Sequence, residues 1–230
     1  MPLSFANPPS TLLYNDGART LVVREARVSD APAMVEAIHE SLGDLKRFMP
    51  WAHHPQTVAV QRARIEEFQT AAHTTDLHYN IFEREDGPLL GCIGMHATRV
   101  LNPTGFEIGY WIRSANHGQG LATLASQCAV IAGFECLAAE RIQCGYNEAN
   151  ATSQAVVRKV GFLVEGRLRN YEHQPTLEQR AAGCQTQPLT IMTGLCPEHR
   201  TQLAWYPHVS RSLTVLDRKG ACHWPHPSGS

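Results

Sequence analysis

The segment NHGQGLAT, residues 116–123, places two glycines between a predicted strand and a predicted helix. The strand is FEIGYWI at 106–112, which is rich in β-branched and aromatic residues. Backbone N–H groups in the first turn of a helix lack partners and carry partial positive charge, so they bind phosphate well. The helix is indicated by apolar residues at spacings of three and four, namely Leu121, Leu124, Cys128, Ile131 and Phe134. The pattern predicts an anion-binding loop made of His117, Gly118, Gln119, Gly120, Leu121, Ala122 and Thr123.

Three known phosphate-binding patterns can be compared with this loop. The dinucleotide pattern GxGxxG fails because Thr123 stands where the third glycine belongs. The GxxxxGK pattern of nucleoside triphosphatases fails because the segment contains no lysine. The pattern [Q/R]-x-x-G-x-[G/A] fits at Gly120 and Ala122, with His117 at its first position. The alternative interpretation is a tight turn in which glycine only assists the start of the helix.

The second half of the chain adds motifs that carry a family resemblance. After the loop comes YNEANATSQAVVRKVGFLVEGRLRNYE, with Asn150-x-x-Ser153 opening a predicted helix and Gly161 ending it. In this order, and with EIGYWI before the loop, the chain resembles the GNAT N-acetyltransferase superfamily and within it the RimJ/RimL type, which acetylates ribosomal-protein N-termini. The segment LKRFMPWA at 45–52 is similar to the apolar stretch that these enzymes place near the acceptor. The resemblance covers residues 20–195.

The resemblance implies acetyl-CoA as the co-substrate. Its pyrophosphate is then expected on the amides of residues 118–123. Its pantetheine arm is expected along residues 107–112, Ile112 included, and it would pair with that strand like an added strand. Asn150 resembles the family asparagine that hydrogen-bonds the cofactor, although asparagine is also a favoured residue at the N-terminal cap of a helix. Both roles are compatible.

Transfer of acetyl to an amine requires two proton movements, and the resemblance suggests a residue for each. The acceptor amine must lose a proton before it attacks, and the departing thiolate must be protonated or stabilised. Glu172 corresponds to the glutamate proposed as base in RimL-type enzymes, and Ser153 to the serine proposed as acid. Direct attack in a ternary complex suffices. The alternatives are an ordinary charged strand residue for Glu172 and a first-turn hydroxyl for Ser153.

Other residues are candidates for contact with the acceptor substrate or for an alternative base or acid. Glu107 is a second possible base, because many enzymes of the superfamily use a carboxylate on the strand before the loop. We expect Trp51, Glu107 and Tyr110 to contact the substrate. Further candidates are the acids Tyr110 and Tyr146, the loop pair His53 and His54, and the phosphate-binding Arg158 and Lys159. For the last four, exposed surface positions are the alternative.

Two departures from the family pattern leave the acceptor open. His117 replaces the usual Gln or Arg, and residues 174–187 form a longer segment where these families have a short turn. A protein or peptide N-terminal amine is the first hypothesis. A small-molecule amine such as an antibiotic or polyamine is the second, and a non-catalytic acyl-CoA-binding regulatory module is the third.

The elements that must position these residues follow the order β-α-α-β-β-β-α-β-α-β-β. This order predicts a mixed α/β (α+β) domain of the GNAT type, with a mostly antiparallel central sheet flanked by helices and a cofactor cleft after the fourth strand. We expect an N-terminal extension at 1–19, the acetyltransferase domain at 20–198 and a tail at 199–230. The tail ends in His223-Trp-Pro-His226, which lacks further nearby ligands and predicts no metal site.

Composition narrows the class of protein. The chain has 43% hydrophobic residues, enough for a buried core, and 20 basic against 21 acidic residues, so nucleic acid is not an expected partner. No apolar run reaches membrane-spanning length, and the N-terminus lacks the pattern of a secretion signal. Seven cysteines without a CxxC pair favour a reduced, cytoplasmic setting. A monomer or a homodimer is expected.

Overall fold

The computed structural model describes residues 8–71, 76–98 and 104–225. Its strands are β1 Pro9–Asn15, β2 Thr20–Glu25, β3 Asp76–Phe82, β4 Leu89–Ala97, β5 Gly105–Ile112, β6 Arg141–Asn147, β7 Leu163–Arg169, β8 Leu189–Leu195, β9 Leu213–Asp217 and β10 Cys222–Trp224. Its helices are α1 Ala31–Phe48, α2 Val58–Ala71, α3 Leu121–Ile131, α4 Ala151–Val160, α5 Leu177–Ala181 and α6 Tyr206–Ser212. The strands form one sheet in the order β10-β9-β1-β2-β3-β4-β5-β6-β8-β7. Among the described residues, no helix is both long and apolar enough to cross a membrane.

Helices cover both faces of this sheet. Successive strand residues point to opposite sides, and apolar residues on both sides must be buried. In β2, Leu21 and Val23 belong to the large core cluster that includes α3, α4 and α6. Val22, between them, packs with Phe82 and with Ala37 of α1 on the opposite face. The predicted mixed α/β fold, with a mostly antiparallel sheet flanked by helices, is confirmed.

The predicted order of eleven elements corresponds to the elements from β2 to β8 without α5, and α4 has the bounds read from the sequence. The short helix α5 lies within residues 174–187, where the sequence predicts a loop. The flanking segments differ from the expectation of an extension and an irregular tail. β1 pairs with β2 on one side and with β9 on the other, so both segments extend the same sheet. His223 contacts the Asp217 carboxylate through Nε2 at 2.8 Å. His226 lies outside the described residues.

The parallel pair β5–β6 creates the opening at which the site forms. The two strands pair only at Gly105–Arg141, Phe106–Ile142 and Glu107–Gln143. Beyond Glu107 they are no longer registered with each other, although β5 continues to residue 112 and β6 to residue 147. Backbone groups of residues 108–112 on that side are therefore available to a ligand that lies along the strand.

Replacing Gly161 tests the cap that ends α4. Gly161 has φ 93°, and a Cβ there would lie 2.4 Å from Cδ2 of the buried Leu203. We expect Gly161→Ala to lower the free energy of unfolding by about 2–4 kcal/mol, because backbone strain and a clash add. Chemical denaturation measures this. Gly183→Ala is the control, since φ is 96° there but nothing lies within 4 Å. Equal losses in both variants would contradict a role for the Leu203 contact.

Candidate active site

The glycine loop, residues 117–120, turns sharply between β5 and α3. Gly118 and Gly120 adopt left-handed φ values of 77° and 74°, and Gly120 directly precedes the first turn of α3. Among the described residues, no atom lies within 4 Å of a Cβ placed on Gly118, and Nη1 of Arg19, at 3.9 Å, is the one atom that approaches a Cβ placed on Gly120. The loop is therefore uncrowded at both glycines, and the first amides of a helix have no partner within it.

The side chain of His117 fastens this loop to the end of β5. Its Nε2 lies 2.9 Å from the carbonyl oxygen of Ile112, and its Nδ1 lies 4.0 Å from Oδ2 of Asp44. A carbonyl oxygen only accepts, so Nε2 carries the proton in this arrangement. His117, at the first position of the loop pattern, thus holds the loop against β5 through its side chain and not through the loop amides.

A cavity of about 550 Å³ opens above the loop, between β5 and α4. It is lined by most of the residues predicted to bind the cofactor, namely Ile112, His117, Gly118, Gly120, Leu121, Ala122, Thr123, Asn150 and Ser153. Of that predicted set, Gln119 does not line it. Lys159 lines the cavity as well, whereas Arg158 does not. Below, this space is called the donor cavity.

A second cavity, of about 1020 Å³, lies on the other side of the split between β5 and β6. Both candidate bases line it, together with Tyr146. Glu107 is half-buried and accepts a hydrogen bond of 2.9 Å from Nε2 of Gln143. Glu172 is exposed. This space is called the acceptor cavity.

The two cavities meet at a small group of polar side chains. Tyr110, Asn150 and Ser153 line both of them. Oδ1 of Asn150 accepts a 3.0 Å hydrogen bond from the Ser153 amide, which confirms the N-terminal cap of α4. Oγ of Ser153 lies 3.1 Å from the Tyr110 hydroxyl. The sequence places Ser153 and Tyr110 in different elements, and the structure joins them where the cavities connect.

Burial determines the protonation of two groups at this junction. Burial chiefly, with a smaller contribution from Cys144, raises the pKa of Tyr110 well above its ordinary value. Burial and the nearby Glu107 carboxylate raise the pKa of the Cys144 thiol to about 12. Both groups are therefore protonated at neutral pH, so Tyr110 is a hydrogen-bond donor and Cys144 is not a thiolate nucleophile.

The predicted substrate residue Trp51 lies elsewhere. It lines a third cavity of about 260 Å³ and packs against Trp111 with ring centroids 6.3 Å apart. The apolar segment reaches both functional cavities through Phe48 and Met49 instead. Neither His53 nor His54 lines either functional cavity, and Nε2 of His53 lies 3.0 Å from the Lys46 carbonyl oxygen. Which side chains of the segment face these two cavities depends on where α1 ends.

Arg19 was missed by sequence reasoning, although its guanidinium is near Gly120. It lies in the β1–β2 turn, where Oδ1 of Asp16 accepts a 2.7 Å hydrogen bond from the Arg19 amide. Oδ2 of Asp16 accepts a 2.7 Å bond from the Tyr14 hydroxyl, and His208 of α6 lies 3.2 Å from that hydroxyl. No local pattern indicates this approach, because about a hundred residues separate Arg19 from the loop.

The amino-acid sequence is similar to known acetyltransferases. Residues 20–163 match the sequence model described as the acetyltransferase (GNAT) domain. The probable N-acetyltransferase YjcK of Bacillus subtilis (strain 168) is 32% identical over 154 residues, which cover 66% of this chain and 84% of YjcK. The provisionally assigned ribosomal N-acetyltransferase YdaF of the same strain is 28% identical over 152 residues, covering 65% of this chain and 81% of YdaF.

Solved structures share the fold. Mycobacterium smegmatis RimJ in complex with CoA-disulfide superposes with a TM-score of 0.74 at 22% identity, covering 89% of this chain and 96% of RimJ. The microcin C7 self-immunity acetyltransferase MccE, in complex with acetyl-CoA and AMP, gives a TM-score of 0.66 at 17% identity, covering 79% and 93%. Since the family match spans more than half of the sequence, the chain belongs to the GNAT acetyltransferase family and is an N-acetyltransferase.

Proposed function

We propose that the protein transfers acetyl from acetyl-CoA to the primary amine at a protein or peptide N-terminus, by direct attack in a ternary complex. One observation carries this proposal. Two cavities of different character meet at Tyr110, Asn150 and Ser153, the donor cavity over the glycine loop and the acceptor cavity with two carboxylates. Bound substrates would approach each other there without a covalent enzyme intermediate. The protonated Cys144 thiol supports the direct route.

The donor cavity fits acetyl-CoA. The open amides of residues 118–123 and the left-handed Gly120 form a cradle for a diphosphate. The split between β5 and β6 leaves backbone groups of residues 108–112 for the amides of a pantetheine arm. The thioester end of a molecule held in this way would reach the junction at Ser153.

The junction residues supply the proton movements. Glu172 is our proposed base, since it lines the acceptor cavity and its exposure leaves a path for the proton to solvent. Ser153 is our proposed acid for the leaving thiolate. The Tyr110 hydroxyl, 3.1 Å from Ser153, can donate to the serine and complete a short proton relay.

Replacing Ser153 tests this relay. We expect Ser153→Ala to lower kcat about 10- to 100-fold, less than the full loss of a proton donor because Tyr110 remains. The KM for acetyl-CoA should change little, since the hydroxyl acts on the leaving group. Steady-state kinetics measures both constants. If Tyr110→Phe lowers kcat and Ser153→Ala does not, the tyrosine is the acid and the serine is a first-turn residue.

Arg19 provides a test of the diphosphate site. None of the ion pairs found among the described residues involves the Arg19 guanidinium, which leaves it available to a phosphate. We expect Arg19→Ala to raise the KM for acetyl-CoA about tenfold, with kcat unchanged, because a charge-assisted hydrogen bond is lost. Arg19→Lys should recover part of the loss. Arg27→Ala, which removes an exposed arginine paired with Glu85, is the control. An unchanged KM in Arg19→Ala would contradict the contact.

The acceptor cavity supports a peptide more than a compact molecule. It is large, and the exposed Tyr171 at its rim leaves space for a chain that continues into solvent. The two carboxylates, Glu107 and Glu172, suit a cationic amine. A small-molecule amine is the second candidate, because the two carboxylates would also suit it, and a non-catalytic acyl-CoA-binding module is the third.

The experiment is thiol release from acetyl-CoA in the presence of a panel of amines. The panel contains peptides that start with Ser, Ala or Met, polyamines and aminoglycosides, with acetyl-CoA binding measured separately by calorimetry. Turnover with peptides alone is the expected result. Turnover with polyamines or aminoglycosides alone would replace the peptide proposal. Binding of acetyl-CoA without turnover of any amine would make the binding module the better account.

A further inference from the structure

Three metal-ligating side chains converge at one end of the β3–β4 pair. Asp76, His78 and His96 each offer one donor atom, and these atoms lie within 4.8 Å of one another. All three residues are half-buried. The acetyl-transfer chemistry proposed above uses none of them.

Strand register explains why they meet. Asp76 and His78 are two residues apart on β3, so both project from the same face of the sheet. Asp76 pairs with His96 across the strands, and His78 pairs with Gly94. A Cβ on Gly94 would lie 2.7 Å from Nε2 of His96, so only glycine lets the His96 ring lie across that position. The ring is thereby brought beside His78, with centroids 4.9 Å apart.

The pairing of the polar atoms is incomplete. Nδ1 of His96 lies 3.3 Å from Oδ1 of Asp76, so these two side chains are paired with each other. Nε2 of His78 is buried and has no hydrogen-bond partner among the described residues. Phe68 stacks on the His78 ring at 3.4 Å between centroids, which restricts its rotation. A buried ring nitrogen without a partner is unfavourable unless a ligand satisfies it.

We propose that Asp76, His78 and His96 form a binding site for a divalent transition-metal ion of the zinc type. Two imidazoles and one carboxylate are ligands that Zn²⁺ accepts. Donor atoms bonded to such an ion at about 2.1 Å lie ~3.4 Å apart in tetrahedral geometry, so side-chain adjustments of about an ångström close the site. A fourth position is left for water or another ligand. Because His96 also lines the acceptor cavity, the bound ion lies at the wall of that cavity.

One nearby charge opposes the ion. Arg64 lines the same small cavity as His78 and His96, and its guanidinium lies 5.1 Å from the Phe68 ring centroid. The Asp76 carboxylate offsets part of this repulsion. The expected affinity is therefore moderate, and the fourth ligand is expected to be water or an anion.

The experiment uses the full-length protein after dialysis against a chelator. Co²⁺ is the first probe, because a thiolate charge-transfer band separates ions bound by any of the seven cysteines from ions bound by histidine and carboxylate. Zn²⁺ calorimetry follows. We expect one ion per chain without a thiolate band, and a loss of affinity of roughly 100-fold in His78→Gln and in His96→Gln.

Two further variants separate metal binding from a structural effect. Gly94→Ala retains all three ligands but displaces the His96 ring, and it should also weaken binding. His39→Gln removes an exposed histidine of α1 and should leave binding unchanged. The absence of one-to-one binding would overturn the proposal. Unchanged affinity in both His78→Gln and His96→Gln would do so too.

Discussion

Glu172→Gln is expected to lower kcat for amine acetylation by about 10²- to 10⁴-fold, the usual contribution of a positioned general base. The KM for acetyl-CoA should be unchanged, because Glu172 lines the acceptor cavity and not the donor cavity. The amide has nearly the same shape as the carboxylate, so folding should be unaffected. Steady-state kinetics with a peptide acceptor measures both constants.

The pH dependence of this loss distinguishes a base from a structural residue. An α-amine has a pKa of about 8, so most of the acceptor carries a proton at pH 7 and little does well above pH 8. A base is needed most when the amine is protonated. The deficit of Glu172→Gln should therefore be largest near pH 7 and narrow as the pH rises above 8. A purely structural defect would show the same deficit throughout.

Two other carboxylates serve as comparisons. Glu178→Gln changes an exposed glutamate in the first turn of α5 and should retain wild-type kinetics. Glu107→Gln changes the half-buried carboxylate that accepts from Gln143. We expect Glu107→Gln mainly to raise the KM of the acceptor. A pH-dependent loss of kcat in Glu107→Gln, with normal kinetics in Glu172→Gln, would assign the base to Glu107.

The second large effect is expected from Gly120→Ala. An alanine held at φ 74° costs roughly 1–2 kcal/mol, so the loop will relax away from the left-handed conformation that opens its amides. Losing even two charge-assisted hydrogen bonds of about 1.5–3 kcal/mol each weakens binding by a factor on the order of 100. We therefore expect the Kd for acetyl-CoA to rise about 100-fold, as measured by calorimetry.

Gly220→Ala is the matched control for this substitution. Gly220 has φ 78° and lies in the β9–β10 turn, and in the part of the chain that the structure describes no atom lies within 4 Å of its Cβ position. Both variants should lose similar stability in thermal unfolding, because the backbone strain is similar. Only Gly120→Ala should lose acetyl-CoA affinity. Equal, small changes in affinity would mean that the glycine loop is a tight turn and that the diphosphate binds elsewhere.

Features that depend on nearby residues were predictable from the sequence. Eleven of the elements from β2 to β8, all except the short α5, follow from local periodicity. The Asn150 cap and the left-handed Gly161 follow from preferences at helix ends. Gly118 and Gly120 both adopt left-handed φ values, which glycine accepts without strain, so the loop's backbone depends on residues that the local sequence displays. Motif order also identified the family, which the comparison confirmed.

Features that depend on distant pairing were not predictable. β1 and β9 pair with each other although about two hundred residues separate them in the chain, and a single strand is stable only beside such a partner. The helix α6 was not predictable either, because its segment has scattered aromatics and prolines and no helical period. A prediction from local patterns therefore omits β1 and treats residues 199–230 as a tail.

The sequence alone determined which residue types the protein has for acetyl transfer and the order of the elements that carry them, because both depend on short-range spacing. The tertiary structure decided which side chains meet. It turned Phe48 and Met49 rather than Trp51 toward the cavities, joined Tyr110 to Ser153 and brought Arg19 to Gly120. These contacts depend on strand register, on the end of α1 and on a turn about a hundred residues away, none of which a local pattern encodes.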